Sequence, residues 1–280
     1  MAPIQLIIFT DMDGSLLDHE TYSHEPADEV LAWLRSNQIP VVPCTSKTRA
    51  EMLVLSEELA LVHPFVVENG AAIYMPPAYF PNLLSLPNDV TGLQVKKFTH
   101  SRAHWQAILA NVPVHLNDAF VTFEALGVEG IMQLTGLGVD EARRASQREF
   151  GEPLKWLGNE EQLQQFKRYI DSQQGKLLEG GRFIHLSGDC DKGQALLWLV
   201  EQFHQHANNK NIVSVALGDS QNDVAMLSAA DYAVVIKSKV HEFPALEDKD
   251  QQHVYYTNNY GPEGWKEGVL YVLNELGINQ

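Results

Sequence analysis

Two hydrophobic periods alternate along the first third of this chain. Ile4 to Phe9 is an almost unbroken apolar run, with the length and residue types of a strand buried on both faces. Pro26 to Asn37 switches to helical spacing, with Pro26 near the first turn and Val30, Leu31 and Leu34 on one face. Ile39 to Cys44 is again apolar and predicts a second strand. Thr48 to Leu61 predicts a helix, because Thr48 and Glu51 have capping-box spacing and Met52, Leu55 and Leu59 form a stripe. Phe65 to Val67 predicts a third, short strand. Alternation of this kind predicts a parallel sheet with helices on both faces.

Prolines then interrupt the pattern at Pro76, Pro77, Pro81 and Pro87. Beyond about Val95 amphipathic helices are predicted at Ser101 to Ala110, Asp140 to Phe150 and Glu160 to Gln173. They lie between β-like runs such as Phe120 to Glu124 and Arg182 to Leu186. The α/β rhythm returns with strands at Ile212 to Leu217, Tyr232 to Ile236 and His253 to Thr257, and a helix from Gln221. Trp265, Val269, Val272 and Leu276 give a last helix one apolar face. The expected architecture is α/β: a doubly wound parallel-sheet core built from residues 1–86 and 188–280, with an α+β domain of residues 87–187 inserted.

Chemistry is concentrated where the predicted strands end. Asp11 and Asp13 flank one residue after the first strand and are followed by Gly14 and Ser15. Alternation along a strand points both carboxylates the same way. Such a pair repels itself unless a cation lies between the groups or they share a proton. Oxygen ligands at the carboxyl end of a parallel strand suit Mg2+ and phosphate chemistry. An Asp-Gly turn alone would explain Gly14 but not both acids. Gly218-Asp219-Ser220-Gln221-Asn222-Asp223 repeats this arrangement after Ile212 to Leu217, and Asp219 and Asp223 lie one helical turn apart. Helix capping would need one of these side chains, not four.

Other candidates are weaker when taken singly. Thr45, Ser46 and Lys47 follow the second strand, where hydroxyls and N–H groups at a helix start suit a phosphoryl group; the same residues also suit a turn. Lys192 would offset the charge of carboxylates and phosphate, or lie on the surface before a helix. Glu68-Asn69-Gly70 follows the third strand and reads as substrate contact or as an Asn-Gly turn. Arg182, after Gly180-Gly181, and Lys47 are candidate cations for a substrate anion. Arg143, Arg144 and Arg148 fall within a predicted helix, where a solvated charged face is the default.

Charge sharpens the picture. A net charge of -16 argues against a nucleic-acid partner and obliges any anionic substrate to meet a local reversal of the field. No stretch reaches the roughly 18 apolar residues of a membrane helix, and no basic region precedes the first apolar run. No membrane partner or signal peptide is therefore expected, and a cytoplasmic location is. Two cysteines, Cys44 and Cys190, make no disulfide framework. The eleven histidines show no metal-ligand spacing.

Asp11-Met12-Asp13-Gly14-Ser15, Thr45, Lys192 and Gly218 to Asp223 resemble the ordered motifs of the haloacid dehalogenase-like phosphatases. The long insertion resembles the α/β cap of the sugar-phosphatase branch, placed on a Rossmann-like core. Thr45-Ser46-Lys47-Thr48 and Glu68-Asn69-Gly70 are similar to the mannosyl-3-phosphoglycerate phosphatases, whereas many sugar phosphatases have Thr-Gly-Arg at the first of these places. The resemblance implies Asp11 as a nucleophile forming an aspartyl-phosphate and Asp13 as general acid, then base. It implies Thr45 and Lys192 as ligands of the transferring oxygens. It implies Mg2+ held by Asp11, the main chain of Asp13, Asp219 and, in support, Asp223. Ser46, Lys47, Glu68, Asn69, Arg182 and Asn222 are then expected to bind a phosphorylated sugar-glycerate. The same motifs also fit a phosphatase of another sugar phosphate, a phosphomutase, or a regulatory module that stores a phosphoaspartate. The sequence is silent on oligomeric state.

Overall fold

The apolar N-terminal run forms β1 (Ile4–Thr10) in a computed structural model that describes residues 4–179, 183–207, 210–240, 242–246, 250 and 253–278. There follow α1 (Asp28–Ser36), β2 (Val41–Pro43), α2 (Arg49–Glu58), β3 (Phe65–Val67), β4 (Ala72–Met75) and β5 (Gln94–Lys97). The middle of the chain holds α3 (Arg102–Leu109), β6 (Phe120–Thr122), α4 (Phe123–Thr135), α5 (Val139–Ser146), β7 (Glu152–Trp156), α6 (Glu160–Ser172), β8 (Lys176–Glu179) and β9 (Ile184–Ser187). The chain closes with α7 (Lys192–Gln205), β10 (Asn211–Gly218), α8 (Val224–Ala229), β11 (Tyr232–Lys237), β12 (Val254–Tyr260) and α9 (Gly261–Glu275).

These elements form two compact units. Met1–Thr45, Leu61–Val95 and Asp191–Gln280 make the first, and Ser46–Ala60 and Lys96–Cys190 the second. The first unit carries a five-stranded sheet in the order β12-β11-β10-β1-β2, with every neighbouring pair parallel. β1 runs beside β10 in register from Ile4 opposite Asn211 to Thr10 opposite Leu217. The carboxyl ends of β1, β2 and β10 therefore reach one edge together. A parallel bridge from Cys44 to Val66 brings the end of β3 to that edge as well. Ile7, Ile8, Phe9, Val215, Ala216 and Leu217 are buried without alternation, as a sheet covered on both faces requires. In α9 the buried stripe is Trp265, Val269, Val272 and Leu273; Leu276, predicted to complete it, is half-buried at the C-cap just past the helix.

The second unit is built on an antiparallel sheet, β6-β7-β9-β8. Trp105 and Leu109 of α3 and Phe166 and Ile170 of α6 pack with Leu154 and Leu186 of the sheet. Phe123, Ile131 and Ala142 make a smaller cluster of α4 and α5. The predicted capping box of α2 is present: Thr48 N–H donates to Glu51 Oε2 (2.8 Å) and Glu51 N–H to Thr48 Oγ1 (3.2 Å).

Helix α4 departs from the prediction. The β-like run ends at Thr122 because the Thr122 hydroxyl accepts the Ala125 N–H (3.1 Å) and starts a helix. Gly127, Gly130 and Gly136 hid that helix in the sequence, and Gly127 lies outside helical geometry within it. The helix predicted at Asp140 to Phe150 is shorter, so Arg148 lies beyond its end at Ser146. Arg143 does lie on the exposed face, paired with Asp140 (2.8 Å). Arg182, Gly180 and Gly181 fall outside the described residues. Among the described residues no helix is long and apolar enough to cross a membrane.

Candidate active site

The β1–β10 ladder continues one residue past the strand, where the Asp11 N–H donates to the Leu217 carbonyl (2.8 Å). This fixes Asp11 beside the end of β10 and hence beside Asp219. The Asp11 carbonyl accepts the Thr10 hydroxyl (2.7 Å), which in turn accepts the Trp265 indole N–H (2.9 Å). A buried side chain of the last helix thus anchors the backbone of the first motif.

After Asp11 the chain folds back on itself. Gly14 N–H donates to the Leu17 carbonyl and Leu17 N–H to the Met12 carbonyl, each at 2.8 Å. Gly14 has φ +80°, and a Cβ there would stand 2.7 Å from Asp219 Oδ2. Only glycine lets this turn press so close to the carboxylate. Asp13 is half-buried on the same turn.

Asp11, Asp219 and Asp223 are all buried, and one carboxylate oxygen of each lies within 4.8 Å of the others. The Lys192 Nζ donates to Asp11 Oδ1 and Asp223 Oδ1, both at 2.6 Å, and is fully enclosed. The other oxygen of Asp223 accepts the N–H groups of Asp219 and Ser220, both at 3.1 Å. Asp223 therefore clamps the loop after β10 and orients Lys192. Burial raises the Asp11 pKa well above the usual carboxylate range, Asp223 and Asp219 add to it, and Lys192 opposes them. Burial alone would lower the Lys192 pKa, but Asp11 and Asp223 outweigh it and keep the ammonium charged. Cys44 lies close by, but burial pushes its thiol up, so it offers no thiolate.

Three ionised carboxylates against one ammonium leave two negative charges in an enclosed space. Hard oxygen donors at this spacing, with the close-fitting Gly14 turn beside Asp219, fit a divalent cation such as Mg2+.

Thr45 and Asn69 join the same edge. The Thr45 N–H donates to Val66 (3.0 Å), and the Thr45 carbonyl accepts from Asn69 N–H (2.9 Å). Asn222 Nδ2 donates to Asn69 Oδ1 (3.2 Å), linking this loop to the one that carries Asp219 and Asp223. Glu68, Asn69 and Gly70 have φ of 50°, 60° and 96°, three left-handed residues in succession. A Cβ on Gly70 would stand 2.1 Å from the Asp191 carbonyl oxygen. The turn is thus packed against the start of α7, where Asp191 caps the helix through the Gln194 N–H (2.8 Å) and Lys192 follows. Glu68 is buried in this turn.

The structure thus brings together Asp11, Lys192, Asp219 and Asp223 directly, and Thr45, Glu68, Asn69 and Asn222 around them in the same unit. Ser46 and Lys47 belong to the second unit, where the Ser46 carbonyl accepts from Arg148 Nη2 (3.0 Å). Sequence reasoning assigned no role to Ser220, Thr10 or Trp265. Ser220 bonds both Asn222 (2.6 Å) and Asp223 (3.3 Å), and its place inside the second acidic motif was the available signal. Trp265 gave none, because it reads only as one member of a helical stripe.

The sequence profile of the haloacid dehalogenase-like hydrolases matches residues 8–249. Over 270 residues the chain is 33% identical to the glucosyl-3-phosphoglycerate/mannosyl-3-phosphoglycerate phosphatase of Methanococcoides burtonii, covering 96% of this chain and 97% of that protein. Among solved structures it is similar to the sucrose-phosphatase of Synechocystis sp. in complex with sucrose and phosphate, with 12% identity, a TM-score of 0.58 and 98% of both chains covered. It is similar also to a sugar phosphatase of haloacid dehalogenase subclass IIB, with 15% identity, a TM-score of 0.61 and coverage of 98% of this chain and 99% of that one. At these identities the two structures speak for the fold.

Proposed function

The chain belongs to the haloacid dehalogenase-like hydrolases, and from that premise we propose that it hydrolyses mannosyl-3-phosphoglycerate to mannosylglycerate and phosphate with Mg2+ as cofactor. It is a phosphoric monoester hydrolase. The observation that carries the mechanism is the Asp11, Lys192, Asp219 and Asp223 cluster. The choice of substrate is supported by the Methanococcoides burtonii relative and by Thr45-Ser46-Lys47-Thr48 and Glu68-Asn69-Gly70.

Asp11 is the nucleophile. Its carboxylate oxygen bonds to phosphorus as the bond to the sugar-glycerate oxygen breaks, leaving an aspartyl-phosphate. Asp13, on the adjoining turn, gives a proton to the departing oxygen. It then takes a proton from the water that attacks phosphorus, which frees phosphate and restores Asp11. Lys192 and Thr45 hold the transferring oxygens. Asp11 and Asp219 with the main chain of Asp13, and Asp223 in support, would hold Mg2+, which would neutralise phosphate charge and polarise its oxygens. Asp223 holds Lys192 and the loop in place. Glu68, Asn69 and Asn222 bind the substrate beside the phosphate. Ser46, Lys47 and Arg182 supply contacts to its other polar groups, and the insertion at 87–187 selects the leaving group.

The test is a comparison of mannosyl- and glucosyl-3-phosphoglycerate with mannose 6-phosphate and glucose 6-phosphate, with and without Mg2+. A clear preference in kcat/KM for the glycosyl-glycerate esters is expected. A preference for a simple hexose phosphate would transfer the assignment to another sugar phosphate. Asp11→Asn should abolish turnover while leaving the circular dichroism spectrum unchanged; retained turnover would remove Asp11 as nucleophile.

A further inference from the structure

The second unit contains a cleft of about 440 Å3 that shares no residue with the acidic cluster. That volume falls in the range of small-molecule sites, roughly 300–1,000 Å3. Trp105 lines it and is only 1% exposed. Its indole N–H is enclosed and has no acceptor among the described residues. A buried N–H without an acceptor is unfavourable, and structures rarely retain one without a reason. The indole edge next to the nitrogen is the edge that meets Gly188, another wall of the cleft: a Cβ at Gly188 would stand 3.2 Å from Trp105 Cζ2.

Several of the groups lining the cleft with that indole can donate. Gly188 N–H donates to Thr99 Oγ1 (3.0 Å), which leaves the Thr99 hydroxyl hydrogen to donate elsewhere. Lys97 brings an ammonium, held over the Phe150 ring at 5.8 Å from its centroid. The imidazoles of His100 and His104 lie with centroids 4.2 Å apart, and both meet Trp105 edge-on. His104 and Trp105 belong to the first turn of α3, whose N-cap Ser101 makes no side-chain capping bond. The positive end of that helix therefore borders the cleft. Asp189 is the one carboxylate in the wall and disfavours ligands of high negative charge.

We propose that this cleft binds a small organic oxyanion, a compound carrying a carboxylate or a phosphate, as a second ligand of the enzyme. The oxyanion accepts the Trp105 indole N–H and the Thr99 hydroxyl, and Lys97 supplies the counter-charge. The walls come from both ends of one continuous stretch. Lys97 to His100 follow the passage of the chain into the second unit, and Gly188 and Asp189 precede its exit. A ligand bridging Thr99 and Gly188 would tie those two segments together.

The test uses the full-length enzyme labelled with 15N and saturated with Mg2+. The Trp105 indole N–H resonance is identified by its loss in Trp105→Phe. It is then followed during titration with sodium D-glycerate, inorganic phosphate and, as a neutral control, glycerol. A saturable shift with glycerate, phosphate or both, and none with glycerol, is expected; which anion acts tells carboxylate from phosphate. Lys97→Ala combined with His104→Ala should weaken binding about tenfold or more, the equivalent of about 1.4 kcal/mol. The same shift should persist in Asp11→Asn. The proposal is overturned by no shift with either anion, by an equal shift with glycerol, by undiminished affinity in the double variant, or by loss of the shift in Asp11→Asn. That last outcome would trace the response to phosphate in the acidic cluster instead.

Discussion

Replacing Lys192 with Met keeps the length of the side chain and removes only its charge and donors. The ammonium is fully enclosed and bonded at 2.6 Å to both Asp11 and Asp223. With an effective dielectric constant of about 20, each such contact amounts to about 6 kcal/mol before the site relaxes. The carboxylates relax by taking up protons, so the net cost of losing a buried partner is about 3–5 kcal/mol. At a urea slope of about 2–3 kcal/mol/M, the metal-free variant should unfold about 1–2 M earlier than wild type. Hydrogen exchange in β1 and β10 reads this for the first unit by itself. The Asp11 pKa is raised in the folded protein, chiefly by burial. Its contribution is therefore favourable below the unfolded value of about 3.9 and is lost as pH rises through the folded value. Without Lys192 the folded value rises further, so the deficit of Lys192→Met should be larger at pH 7.5 than at pH 5. On the proposed mechanism turnover should fall by about 10²–10³ or more, because a preorganised positive charge beside Asp11 is gone. An unchanged urea midpoint in EDTA at pH 7.5 would refute the account of this cluster as three acids balanced by one base.

Other substitutions test the supports of the site. Gly70→Ala forces a Cβ to within 2.1 Å of the Asp191 carbonyl at φ 96°; backbone strain of about 1–3 kcal/mol plus that overlap should lower stability and displace Lys192, seen as a lower denaturation midpoint together with a lower kcat. Thr10→Val leaves the buried Trp265 N–H without its acceptor and should cost about 1–3 kcal/mol in urea denaturation. In the second unit, burial first and Arg148 second hold His185 down to about 3. The neutral ring is favoured above its unfolded value of about 6.5, and that stability is lost as pH falls from there toward the folded value. Between pH 7 and 4.5 the second unit of wild type should therefore lose about 2 kcal/mol more than His185→Gln, measured by hydrogen exchange in β9.

What was legible in the sequence follows from the range of the forces involved. β1, β2 and β10 announced themselves because strands covered on both faces must be apolar throughout, and an acid at the end of such a run has no packing explanation. The start of α2 was legible because a capping box is local to four residues. α4 was not, since Gly127 and Gly130 within it and Gly136 just beyond it argue against a helix that the Thr122 cap and the Phe123–Ile131 cluster nonetheless stabilise. Lys192 could not be placed by spacing alone. Its seat depends on the cap at Asp191 and on the left-handed turn at Glu68-Asn69-Gly70, more than a hundred residues away in sequence. The two tasks of Asp223 were likewise hidden: a helix-turn spacing suggests a cation ligand, while the clamp on Ser220 and Asp219 appears only once β10 has stopped beside β1.

The charge balance links cofactor and substrate. The chain carries -16 overall, and the acidic cluster is itself negative when its three carboxylates are ionised against Lys192. A phosphate approaching that cluster meets repulsion from the chain as a whole and from the site in particular. Lys192 cannot reverse the field alone, because two of its three N–H groups serve Asp11 and Asp223 and only the third is left for a phosphoryl oxygen. Phosphate affinity must therefore rise when a divalent cation binds, and by linkage cation affinity must rise by the same factor when phosphate binds. Burial and the neighbouring Asp223 and Asp219 raise the cost of ionising Asp11, and a divalent cation held by these carboxylates would lower it, favouring the carboxylate that the proposed attack on phosphorus needs.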